Sequence, residues 1–299
     1  PETRVYCPGY FRHGRRTYRC WKRGGHGSVD LHEAIKQSCD VYFYTNGVKL
    51  GIDRIAHYAR SFGLGHRTGI QLANEAPGLI PSTEWKKRRF GVVWYPGETV
   101  SASIGQGFNL YTPLQLAVAY AALANGGKVL QPRLLLRLEA RDGTVLEEFP
   151  PEVRSEVPIA PEYLAVVRRG LEGVVEEPGG TGRRARVPGI RVAGKTGTAQ
   201  VVRLEHTEGM KEEEIPIRYR DHGWFGAFAP ADAPEIAVGV FVEHGLHGAS
   251  AAAPVAQRIL ARYFEKKLEV DEQIAASESA SEADEQIAAS ESASEADVA

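Results

Sequence analysis

Residues 112–127 read TPLQLAVAYAALANGG, and this stretch constrains the fold more than any other. Thr112-Pro113 is a helix start, a capping hydroxyl followed by proline at the first helical position. Gly126-Gly127 is a stop. Between them the apolar residues lie nearly all round, so the helix must be covered on every side. A chain that carries such a helix has to build layers around it. Residues 116–124 are also the longest apolar run, nine residues, about half of the ~18 that a membrane-spanning helix needs.

The layers can be read on either side. Upstream, Asp30 caps a helix LHEAIKQ with Leu31, Ala34 and Ile35 on one face, and a second helix is predicted over 40–50. Downstream, 160–175 reads as a helix ended by Pro178-Gly179-Gly180. The period then changes. Segments 190–202, 223–229 and 235–242 are rich in Val, Ile, Phe and Ala and read as strands. A charged stretch, 203–222, reads as an exposed loop between the first two. Pro230-Ala-Asp-Ala-Pro234 is a tight turn between the next two, so the strands form an antiparallel meander. Pro254 opens a last helix, with Val255, Ile259, Tyr263 and Phe264 near helical spacing. The expected class is α+β, with helices packed on an antiparallel sheet.

Composition matters at two places. DEQIAASESASEA at 271–283 recurs unchanged at 284–296, with one Ile per copy and no aromatic residue. Such a segment has little apolar surface to offset its ordering entropy, so 271–299 is expected to be a disordered acidic tail on a domain of 1–270. Nine of the 38 acidic residues lie there and none of the 36 basic ones, so the overall charge of −2 hides a body of about +7. The other place is the start. All three cysteines fall in the first 39 residues, too few for a disulfide scaffold. The chain begins with Pro1 and shows no signal-peptide pattern, and we expect it to be part of something longer.

Three constellations could carry chemistry. Lys195-Thr196-Gly197-Thr198 lies on the first strand of the meander. Lys195 offers positive charge at a cleft, Gly197 lets a substrate backbone approach the strand edge, and the hydroxyls of Thr196 and Thr198 can hold a substrate carboxylate. Lys-Ser/Thr-Gly is one of three marks of the serine acyltransferases that react with penicillin. The tripeptide is short, and an exposed strand with a lysine explains it equally. Ser38-Cys39-Asp40 stands between two helices. Ser38 could pass a proton to a leaving amine and Asp40 could orient a neighbouring lysine; a plain helix cap is the competing explanation. Last, Cys7, Cys20, His26 and Cys39 put three thiols and an imidazole within 33 residues, a tetrahedral zinc set. A Cys7–Cys20 disulfide, or burial as small apolar residues, are the alternatives. A loop rich in Arg, Gly and Tyr is expected to be short of apolar core, which favours a metal staple. Arg12, Arg15, Arg16, Arg19, Lys22 and Arg23 form a basic stretch that suits either an anionic partner or a solvated face; with no overall basic excess, no nucleic acid is expected.

These motifs sit within longer stretches. GGHGSVDLHEAIKQSCDVYFYTNGVKLGID (24–53), TGIQLANEAPGLIPSTEWK (68–86), SIGQGFNLYTPLQLAVAYAALANGG (103–127), AGKTGTAQ (193–200) and DHGWFGAFAP (221–230) together resemble the penicillin-binding protein 2 family, the class B, elongation-type peptidoglycan transpeptidases. The resemblance covers nearly all of 1–270. It implies the β-lactamase/transpeptidase-like fold with an α-helical subdomain. It also implies D-alanyl-D-alanine cross-linking of peptidoglycan stem peptides through an acyl-enzyme, and inhibition by β-lactams. By the resemblance, Ser38, Asp40 and Lys195 are catalytic, Thr196, Gly197 and Thr198 bind substrate, and one structural Zn is held beside the Ser-x-Asn motif, here Ser38-Cys39-Asp40. The implied location is the periplasmic face of the bacterial inner membrane, with a membrane glycan polymerase and a cell-shape scaffold as partners. One departure is decisive. The family nucleophile is the serine of Ser-x-x-Lys, and no serine here has lysine at +3; Thr83 does, at Lys86, but in a segment that matches the family elsewhere. The nucleophile is expected upstream of Pro1, and the chain alone is expected to be inactive. A β-lactamase or β-lactam sensor of the same fold, or a non-catalytic zinc-stabilised binding module, are the alternative readings.

Overall fold

A computed structural model describes residues 2–202, 206–207 and 209–296. In chain order the elements are β1 (Val5–Cys7), β2 (Tyr10–His13), β3 (Arg16–Arg19), β4 (Gly27–Val29), α1 (Leu31–Gln37), α2 (Asp40–Leu50), α3 (Ile52–Ser61), α4 (Thr83–Phe90), α5 (Pro96–Ala102), α6 (Pro113–Ala124), β5 (Lys128–Leu130), β6 (Arg137–Glu139), β7 (Val145–Glu148), β8 (Val153–Glu156), α7 (Pro161–Glu176), β9 (Ala193–Ala199), β10 (His222–Ala229), β11 (Ile236–Val242) and α8 (Ala253–Ala296). The main sheet is β11-β10-β9, antiparallel throughout, with Lys195 opposite Gly226 and Thr196 opposite Phe225. Four two-stranded sheets, β1-β4, β2-β3, β5-β8 and β6-β7, precede it in sequence and went unpredicted.

The apolar helix forms as its sequence requires. Thr112 Oγ1 accepts the Gln115 N–H at 3.1 Å, and Gln115 Oε1 returns the favour to the Thr112 N–H, closing a capping box with Pro113 at the first position. Gln115 is fully buried and satisfied: its amide donates to the carbonyls of His66 and Pro77 at 2.6 and 2.9 Å, tying a long loop to the helix. On the other side α6 lies directly on the sheet. A Cβ at Gly226 would come within 2.3 Å of the Tyr120 ring, and one at Gly239 within 2.5 Å of the Pro113 carbonyl oxygen, so the sheet can approach only where it has no side chains. α7 packs against both α1 and β9 and so couples the first half of the chain to the edge strand.

Some expectations are corrected. The loop around the cysteines is not short of core: Cys7, Cys20 and Cys39 belong to an apolar cluster with Val29, Ala34, Val41, Tyr42, Tyr44 and Val100. Part of the expected exposed loop, residues 203–205 and 208, lies outside the described residues; the remainder includes two single-turn helices, Glu212–Glu214 and Ile217–Tyr219. The chain divides into two units, Pro1–Gln257 and Arg258–Ala299. In the second, the backbone is helical through Ala296; Ala and Glu, the main residues there with Ser, favour that local conformation. Of the apolar residues expected together on α8, Phe264 is buried, in line with Ala256 and Leu260, while Val255, Ile259 and Tyr263 are exposed. Both sets obey the four-residue spacing, so spacing alone could not choose between them.

Candidate active site and metal centre

α1 stops because Ser38 turns left-handed, with φ 56° and ψ 49°. That conformation is costly for a residue with a side chain and is a sign of a built site. The turn swings Ser38 Oγ toward β9, where Lys195 Nζ donates to it at 2.5 Å across 157 positions of sequence. Lys195 also donates to the Thr196 carbonyl at 3.0 Å and lies 3.4 Å from Thr196 Oγ1. Burial pulls the Lys195 ammonium down to about 8, with the charge of Asp40 opposing it. A lysine poised there can give or take a proton near neutrality.

Asp40 opens α2. Among the described residues its carboxylate hydrogen-bonds no lysine. It accepts the Trp21 N–H at 2.8 Å and reaches Lys195 only through space. Burial pushes the Asp40 carboxyl up to about 7, against the Trp21 N–H, which lowers it. Trp21 itself is a clamp: its indole N–H lies 3.0 and 2.9 Å from the carbonyls of Gln37 and Ser38. Two further residues join the site without having been singled out for it. Thr181 Oγ1 is 2.9 Å from Thr196 Oγ1, and its N–H donates to the Lys36 carbonyl, so the turn after α7 bridges α1 and β9. Gln106, between Gly105 and Gly107, donates to the Thr198 carbonyl at 2.8 Å. Thr196, Gly197 and Thr198 thus line an edge strand that carries Lys195, with Ser38 opposite. The Thr83–Lys86 pair is elsewhere and disengaged: Thr83 Oγ1 donates to Asp53 at 2.7 Å, and Lys86 is ion-paired with Glu98.

The thiols and imidazole converge. The ligand atoms of Cys7, Cys20, His26 and Cys39 all lie within 4.8 Å of one another, and none of the three cysteines is in a disulfide. His26 Nδ1 is 3.6 Å from Cys7 Sγ and 3.5 Å from Cys20 Sγ. Zinc–sulfur and zinc–nitrogen bonds of ordinary length place tetrahedral neighbours about 3.6 Å apart. The Cys20 thiol is pulled down to about 4, first by a hydrogen bond from Cys39, whose own thiol is pushed up by the same contact and by burial. Buried thiols that share protons in this way are a donor set that fits a soft divalent metal. The cluster joins the two roots of the β2–β3 hairpin to Cys39, the residue between Ser38 and Asp40.

A serine and a lysine thus face each other across a helix junction and an edge strand, beside Lys-Thr-Gly, on a β-lactamase/transpeptidase-like fold. A family model described as the penicillin binding protein transpeptidase domain matches residues 1–261, and the chain belongs to that family. It is 39% identical over 273 residues to the peptidoglycan D,D-transpeptidase MrdA of Haemophilus influenzae, covering 90% of this chain and 42% of that protein. It is 42% identical to MrdA of Acinetobacter baumannii, over 84% of this chain and 37% of the relative. Among solved structures, Pseudomonas aeruginosa PBP2 in complex with WCK 5153 is 39% identical with a TM-score of 0.75, covering 88% of this chain and 56% of that one. The chain spans about two fifths of the length of the curated relatives it matches.

Proposed function

We propose that this chain forms most of the transpeptidase domain of an elongation-type peptidoglycan D,D-transpeptidase, and that the nucleophilic serine lies in a segment outside it. The observation that carries the reading is the 2.5 Å contact between Lys195 and Ser38. In the reaction, a serine Oγ attacks the carbonyl of the penultimate D-alanine of a stem peptide. The peptide C–N bond breaks, an ester forms and D-alanine leaves as the amine. Ser38 is placed to hand that amine its proton, and Lys195 to resupply Ser38. The amine of a second stem peptide then attacks the ester, forms the new peptide bond and returns the serine. Thr196 and Thr198 supply hydroxyls for the terminal carboxylate, and the open edge of β9 takes the substrate backbone. A β-lactam enters as a substrate analogue and stops at the ester.

The Cys7, Cys20, His26 and Cys39 set holds a structural Zn in this reading, in a closed site with no open position for chemistry. Its work is mechanical, to pin Trp21 and Cys39 so that Ser38 keeps its strained turn. A PBP2 from Helicobacter pylori has been solved in complex with MreC, and a related chain in a peptidoglycan synthase complex. By analogy we place the whole protein at the periplasmic face of the inner membrane with a scaffold and a glycan polymerase, although among the described residues no helix is long and apolar enough to cross a membrane. Fluorescent penicillin tests the reading. The 299-residue chain should remain unlabelled, and a longer chain carrying Ser-x-x-Lys should label. No labelling of the longer chain would favour a non-catalytic zinc-stabilised module.

A further inference from the structure

The basic stretch of the first 23 residues has no part in the mechanism above. Residues 10–19 contain four arginines and His13 and no acid. They form the β2–β3 hairpin, with His13 opposite Arg16 at its tip. Arg12 lies over the Tyr10 ring, but Arg15 and Arg16 are exposed, and neither has a partner among the described residues. Unneutralised cations crowded at a turn repel one another and do nothing for the fold.

Those two guanidinium groups border a groove of about 870 Å³. One wall carries His13, Arg15 and Arg16; the other carries Tyr95, Gly107 and Phe108. Glu98, the acid that lines it, is occupied, receiving Lys86 on both oxygens and the Tyr95 N–H at 2.8 Å. The groove is preformed. Tyr18 spans it with its hydroxyl on the Gly97 carbonyl at 3.1 Å, and Phe11 and Tyr18 both pack on the Tyr44 ring at 5.9 Å. At its base the hairpin springs from Cys7 and Cys20, and the Cys20 N–H donates to the Gly9 carbonyl at 2.8 Å.

We propose that this groove binds an acidic peptide, with Arg15 and Arg16 gripping its free carboxylates and the Tyr95 and Phe108 rings flanking its backbone. A concave site of this volume, with Tyr18, Tyr95 and Phe108 in its lining, suits a short extended ligand better than a flat anionic surface. Its position points the same way. The Ser101–Gly107 turn is one wall of the groove, and the same turn places Gln106 on Thr198 at the open edge of β9. A peptide lying on that edge and continuing past Gln106 meets the two arginines. The identification of this peptide as the transpeptidase's own substrate rests on the function proposed above. The metal set then has a second consequence, since it staples the hairpin that reads the substrate's charge.

The test is calorimetric titration of the 299-residue chain with a synthetic pentapeptide that ends in D-alanyl-D-alanine and carries two further free carboxylates. The comparison peptide has those two carboxylates amidated. The acidic peptide should bind about tenfold tighter or more, the value of charge-assisted hydrogen bonds, and less so in high salt. The Arg15→Ala/Arg16→Ala double variant should erase the difference while keeping the thermal midpoint and metal content. An Arg88→Ala/Arg89→Ala control, two exposed charges on α4 that do not line the groove, should keep it. Equal affinity for the two peptides, an equal loss in both variants, or binding to anionic phospholipid vesicles without discrimination between the peptides would each overturn the proposal. No nucleophile is needed for this titration, so a failure here leaves penicillin labelling of the longer chain intact, and a failure of labelling leaves the peptide binding intact.

Discussion

Lys195 must be read as a buried base held between two acceptors, and that has a pH signature. Burial lowers its folded-state pKa to about 8 against an unfolded lysine near 10.5. Between those values the unfolded chain binds the proton that the folded chain has released, so folding gains stability as pH rises through this window. The stability gap between wild type and Lys195→Met should therefore shift in wild type's favour by about 1.4 kcal/mol per pH unit from pH 8 to 10, measured by urea denaturation. Catalysis runs the other way. In a longer chain with its nucleophile, acylation by penicillin should decline as pH rises past about 8, because a neutral Lys195 cannot resupply Ser38 with a proton. Trp21 offers a separate test at this scale. Trp21→Phe removes the N–H shared by Gln37 and Ser38 and keeps the ring's bulk. It should cost about 1 kcal/mol of stability and slow acylation while substrate affinity holds, since what it loosens is the Ser38 turn.

Elements show what a sequence can and cannot announce. α1, α2 and α6 were legible to the residue because Asp30, Thr112-Pro113 and the glycine stop are local signals. The β9–β11 meander was legible because its strands are consecutive. The β1–β4 pair was not: Val5 meets Val29 across 24 residues, and neither three-residue strand alternates long enough to show a period. α4 and α5 were missed for a similar reason, being short and, in α4, mostly charged. The cysteine set was visible as composition, but its function as the root of a hairpin depends on pairings the sequence does not display. Two outcomes follow at this scale. Gly239→Ala places a Cβ against the Pro113 backbone, which cannot move aside, and should destabilise the α6–sheet contact by about 2 kcal/mol. Elemental analysis should find one zinc per chain; its removal by a chelator should expose three reactive thiols and lower the thermal midpoint by about 10 °C. A metal-free native protein with freely titrating thiols would contradict the staple.

At the scale of the whole molecule, the chain brings Ser38 and Lys195 together from opposite ends of its first unit, and α7 is the bridge between them. Thr181, the residue that closes that bridge onto Thr196, could not be found by motif, because its contact exists only once α7 has packed on both α1 and β9. Of the body's charge of about +7, Arg15 and Arg16 stand exposed together at the tip of the β2–β3 hairpin. Lys-Thr-Gly is present at 195–197, Ser38-Cys39-Asp40 stands where the family carries Ser-x-Asn, and no Ser-x-x-Lys occurs in the sequence. The most direct measurement is intact mass spectrometry after incubation with penicillin, on the 299-residue chain and on a longer chain that includes the Ser-x-x-Lys segment. The longer chain should gain one penicilloyl group per molecule, mapped to the serine of that motif, and the shorter chain none. An adduct on the shorter chain, or none on the longer one, would contradict an active site completed from outside these residues.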